Sequence, residues 1–151
     1  MRGAYRVRLV ANLLNGSTAA GILVAVAGRA RLARARDGLV VALRYRLPVP
    51  PAPAFCLGNV IVTRLDPGAV GGAETLLTHE ARHATQFAWC GGVIMLPLYF
   101  LAAGLSWLLT GDFSSQNIFE RRAGLADGGY TERPLRPVLR RRRSRRWPAS
   151  S

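Results

Sequence analysis

The chain is expected to fold as an α+β domain, on three observations. Two strand-like runs rich in β-branched residues lie at 38–65, helical apolar spacing takes over from about residue 69, and an uncharged segment near the N-terminus breaks into two short helical pieces. Of the 151 residues, 1–133 are taken as one domain with a modest core. Residues 134–151 are expected to be a disordered basic tail.

The N-terminal part, "MRGAYRVRLVANLLNGSTAAGILVAVAG", has three early arginines and then no charge from Leu9 to Gly28. Asn12, Asn15, Gly16, Ser17 and Thr18 interrupt its apolar residues, so it matches neither a clean spanning helix nor a secretory signal. It is expected to form two helical pieces kinked near "NGST", packed on the core or resting on a membrane surface. Next come "GLVVALRYRL" at 38–47 and "AFCLGNVIVTRL" at 54–65, separated by the rigid, proline-rich "PVPPAP". They are expected to be a β-hairpin or two paired strands.

A helix is predicted over about 70–88, on the spacing of Leu76, Leu77, Ala84, Phe87 and Ala88. Gly91-Gly92 interrupts it, and an apolar helix follows at 93–109. The loop "TGDFSSQ" offers Asp112, Ser114 and Ser115 as helix caps. A short helix at about 115–126, "NIFERRAG", is expected to end by Gly128-Gly129.

The net charge is +13, carried entirely by arginine and concentrated in the tail "RRRRSRR". That favours an acidic partner such as an anionic membrane surface. Nothing resembles a base-reading module, which argues against specific nucleic-acid binding. Cys56 and Cys90 have no CxxC neighbour and are taken as reduced, partly buried thiols.

The two histidines of the chain stand in "LLTHEARHATQF". In a helix, residues i and i+4 share a face, so His79 and His83 can aim two imidazoles at one point. Glu80 lies beside that point, placed to take a proton from a metal-activated water. Two histidines scattered at random would fall four apart in roughly 1% of arrangements, and requiring a glutamate between them makes coincidence rarer still.

A catalytic zinc needs a third protein ligand, to be sought among the carboxylates and cysteines. Glu74 points to another helix face, and Asp37 and Asp66 sit in turns. Of Asp112, Glu120 and Asp127, only Glu120 falls in a helical segment flanked by apolar residues, with Phe119 and Ala123 packing inward.

"THEARHATQ" followed by "NIFERRAG" resembles the gluzincin group of zinc metallopeptidases, in particular its small bacterial minimal-domain members. The resemblance covers about residues 70 to 127. It implies a zincin-like helical core and Zn2+ held by His79, His83 and Glu120. It also implies Glu80 as the base that activates water against a peptide or protein substrate. Many gluzincins carry Asp four residues after the ligand Glu; here that place is Gly124, with Asp127 nearby. Tyr99, Tyr130 and Arg82 are the candidates for transition-state stabilisation. The alternatives are a small integral or peripheral membrane protein without catalysis, and an inactive zincin-fold binding module.

No charged residue occurs from 84 to 111, which makes this stretch a candidate transmembrane segment. A simple span would separate His83 from Glu120, so a zinc site favours a buried or interfacial helix that folds back. The expected location is the cytoplasm or the cytoplasmic face of the membrane.

Overall fold

A computed structural model describes residues 3–137. The α+β class holds. The chain divides into two compact units, the second beginning at Leu98. Residues 138–151, which contain most of the basic tail, lie outside the described residues.

The first unit opens with α1 (Gly3–Leu14) and α2 (Ser17–Ala27), bent by 72° at the Asn15-Gly16 break. Four strands follow: β1 (Arg31–Arg34), β2 (Val40–Leu43), β3 (Ala54–Leu57) and β4 (Val60–Thr63). They form one sheet in the order β1-β2-β4-β3, with β2 parallel to β4 and the other pairs antiparallel. The expected strand pair is thus part of a larger sheet. The run at 54–65 is itself a hairpin, turning at Gly58-Asn59, where Gly58 has φ +60°. A Cβ on Gly58 would also lie 2.5 Å from the Thr18 backbone nitrogen, so α2 seats directly on this turn.

Both faces of the sheet are covered, which explains why "VVAL" and "VIVT" read as continuous apolar runs. Val41, Leu43, Cys56 and Ile61 pack with Leu77, Ala81 and Ala84 of α3 (Glu74–Trp89). On the opposite face Ala42, Val60 and Val62 pack with Val24 and Ala25 of α2. Close approach of α2 requires Gly21, where a Cβ would lie 2.6 Å from the Leu57 carbonyl oxygen. Between the strands, the Arg64 guanidinium donates to the carbonyls of Leu47, Pro50 and Ala52 and holds the proline loop.

A buried amide network ties the helices to the hairpin turn. Asn12 donates to Asn59 Oδ1 at 3.1 Å and to the Ala84 carbonyl at 2.8 Å. Asn59 donates to Thr18 Oγ1 at 2.9 Å and to the Leu9 carbonyl at 3.1 Å. Asn12 and Thr18, which interrupt the apolar N-terminal run, therefore point inward. The bond to Ala84 fixes α3 one residue from His83.

The apolar helix α4 (Met95–Thr110) follows a 3-10 turn at Gly92–Ile94. It is not a buried core helix, since only 22% of its apolar window is covered. Within the second unit a polar loop closes its C-terminal end. Ser106 Oγ donates to the Asp112 carbonyl and accepts from the Gln116 backbone N–H. The Asp112 carboxylate accepts from the Ser114 and Ser115 backbone N–H groups and from the Ser115 hydroxyl. Asp112 and the two serines thus build the loop, and Asn117 caps α5 (Ile118–Ala123) by accepting from Phe119 N–H. The helix stops at Gly124, earlier than the expected Gly128-Gly129.

Candidate metal centre

The 16 residues of α3 begin after a 3-10 turn that Asp66 and Pro67 initiate. The helix buries His79, Glu80, His83, Ala84 and Phe87. Because successive residues turn by about 100°, the histidines share one strip while Leu77, Ala81 and Ala84 face the sheet. Glu80 lies at the margin between the two strips.

The two Nε2 atoms lie 3.1 Å apart, with the rings nearly perpendicular at 84°. On the far side of the second ring, His83 Nδ1 is 2.7 Å from Gln86 Oε1. An amide oxygen can only accept, so the proton belongs on Nδ1 and the Nε2 lone pair faces His79.

Glu80 is 5% exposed and lies within electrostatic reach of Cys56. Burial pushes the Cys56 thiol well up; the Glu80 carboxylate adds to this and Arg8 opposes it. In the absence of a metal Cys56 is therefore a protonated thiol at neutral pH. Both cysteines are free, as expected. Burial lowers the pKa of the Arg8 guanidinium, with Asp37 opposing; Arg8 donates to the Asp37 carbonyl. Neither Cys56 nor Arg8 announces itself in sequence, because their approach to the motif depends on the sheet.

In the second unit, Glu120 is 2% exposed on α5 and accepts a hydrogen bond from the Tyr99 hydroxyl. Tyr99, a sequence candidate for transition-state stabilisation, thus holds a carboxylate. The neighbouring Arg121 pairs with Glu132 and the Ser115 carbonyl. The rival carboxylates are otherwise placed: Asp66 pairs with Arg44, Asp112 organises its loop, and Glu74 is exposed. Arg82 and Tyr130 are also exposed.

Among the described residues, His79, His83 and Glu120 form one group that could hold a metal ion. Each offers a ligand atom, and all three atoms lie within 4.8 Å of one another. The donor set suits a divalent metal. Two nitrogens each about 2.0–2.1 Å from a tetrahedral zinc lie about 3.3 Å apart, and the imidazoles here meet that spacing within a few tenths of an ångström.

Comparison with protein-family models, curated proteins and solved structures finds no match. The functional assignment therefore rests on the residues themselves.

Proposed function

We propose that this chain is a zinc-dependent metallopeptidase of the gluzincin type, with His79, His83 and Glu120 as zinc ligands and Glu80 as general base. One observation carries the proposal: two buried imidazoles face each other at 3.1 Å, and a buried carboxylate is gathered with them within 4.8 Å. Two imidazole nitrogens and a carboxylate oxygen are the donor types that a divalent metal takes, so their gathering supports a role as ligands.

A zinc ion held there would supply Lewis acidity, lowering the pKa of a water toward neutrality and polarising a carbonyl oxygen. The chain's own residues do the rest. Gln86 fixes the His83 tautomer and ring orientation, and Tyr99 fixes the Glu120 carboxylate. Glu80, one residue from His79 and shielded from solvent, accepts the proton that the attacking water loses and returns it to the leaving amine. These roles give peptide-bond hydrolysis as the reaction class, with a peptide or protein as substrate.

The test uses the purified full chain and a broad library of quenched fluorescent peptides. Glu80→Gln should retain zinc and lose hydrolysis, because the amide cannot take up the proton. Undiminished cleavage by this variant would remove Glu80 from the mechanism. Zinc-loaded wild-type protein that cleaves nothing in the library would reduce the site to a structural or binding centre.

A further inference from the structure

The helix α4 is apolar nearly all round, and its burial pattern is the reverse of that of a helix in a water-soluble domain. Its buried positions after the first two turns are small or polar: Ala103, Ser106 and Thr110. Its large apolar residues point outward, with Phe100 67%, Leu101 71%, Leu105 57% and Leu108 60% exposed. Leu96 and Leu98 are also exposed. At about 100° per residue, these side chains spread over more than half of the helix circumference. A partner helix covers one narrow seam and would leave most of them in water. A medium that surrounds the helix covers all of them.

The C-terminal end of α4 differs in chemistry from its middle. Trp107 stacks on Phe113 at 6.4 Å, and the Arg136 guanidinium lies 5.3 Å above the Trp107 ring. Arg136 also donates to the Trp107 carbonyl, and its own backbone N–H donates to the Leu109 carbonyl. Tryptophan and arginine at the end of an apolar helix suit the headgroup layer, where the ring is half in hydrocarbon and the guanidinium meets phosphate.

From these features we infer that α4 inserts into a phospholipid bilayer, its Leu and Phe side chains in the hydrocarbon and the Trp107–Phe113–Arg136 cluster at the headgroups. No charged residue lies between Met95 and Thr110 to oppose insertion. At 1.5 Å per residue the helix is about 24 Å long, enough to pass most of the way through a core about 30 Å thick. The first unit carries the same inversion: α1 buries Arg8 and Asn12 while exposing Val7, Val10, Leu13 and Leu14. The inference uses none of the zinc chemistry but bears on it: His83 and Glu120 can share an ion only if α4 enters the bilayer without carrying the chain to the other side.

The test uses full-length protein reconstituted into phosphatidylcholine vesicles in molar salt, which suppresses binding through the arginine tail. Trp89→Phe with Trp147→Phe leaves Trp107 as the sole tryptophan, excited apart from the tyrosines at the red edge of its absorption. A second variant adds Trp107→Phe and Leu101→Trp. Lipids brominated near the chain ends should quench the tryptophan at 101 most strongly, and lipids brominated near the headgroups should quench Trp107. Three results would overturn the insertion. Aqueous iodide could quench both positions equally with and without vesicles. Molar salt could release the protein, leaving the arginine tail as its lipid contact. Both positions could be hidden in a lipid-free oligomer, which would identify a second copy as the occupant.

Discussion

Replacing Asn59 with alanine tests whether the buried amide network holds the motif-bearing helix in place. The side chain, fully buried, accepts from Asn12 and donates to Thr18 and to the Leu9 carbonyl. Three hydrogen bonds at about 1 kcal/mol each give a loss of roughly 3 kcal/mol, and stranded Asn12 and Thr18 polar atoms push the figure upward. For a unit of this size, each kcal/mol lowers the melting temperature by about 4–8 °C, so a fall of roughly 12–24 °C is expected. The assay is denaturant and thermal unfolding of the full chain, followed by circular dichroism. Asn12→Ala, measured alone and with Asn59→Ala, should be non-additive by about 0.5–3 kcal/mol, because the two amides share a bond. A change below about 0.5 kcal/mol for Asn59→Ala, or full additivity of the pair, would refute the network's structural role.

Tyr99→Phe removes the hydroxyl that orients Glu120 and should weaken zinc binding by about 10–100-fold in a chelator competition assay. Unchanged affinity would mean that the phenol does not tune the ligand. Asp112 makes the second unit acid-sensitive. The Ser115 hydroxyl first, then backbone N–H groups and Arg133, hold its carboxyl below the usual carboxylate range against the opposing effect of burial. Its stabilisation is therefore present above the unfolded pKa of about 3.9 and is lost as pH falls through the lower folded value. Asp112→Asn should be less stable than wild type at neutral pH and approach it in acid, read by unfolding across pH 2–6. A stability gap that stays constant across this range would contradict the assignment.

The site was legible where chemistry and geometry are local. His79, Glu80 and His83 lie within five residues on one predicted helix, and helical periodicity alone sets their faces. Glu120 emerged because apolar neighbours implied an inward-facing carboxylate, and its burial agrees. The sheet was harder to read. β1 is arginine-rich and exposed along its whole length, so it carries no apolar alternation; its charges suit an edge strand. The parallel pairing of β2 with β4 passes over the intervening hairpin partner and leaves no trace in spacing. Gly58-Asn59 is a two-residue hairpin signal embedded in an otherwise continuous strand-like run. Asn12 and Thr18 resembled interruptions because polar residues facing inward and apolar residues facing outward reverse the usual pattern.

The ligand set itself gives the most direct measurement. Purified full-length protein should carry stoichiometric zinc, and X-ray absorption at the zinc edge should show two imidazole nitrogens at about 2.0–2.1 Å with carboxylate oxygen in the same shell. His79→Ala and Glu120→Gln should each lower the zinc content. Absence of stoichiometric zinc, or a sulfur shell at about 2.3 Å, would contradict a centre built from His79, His83 and Glu120.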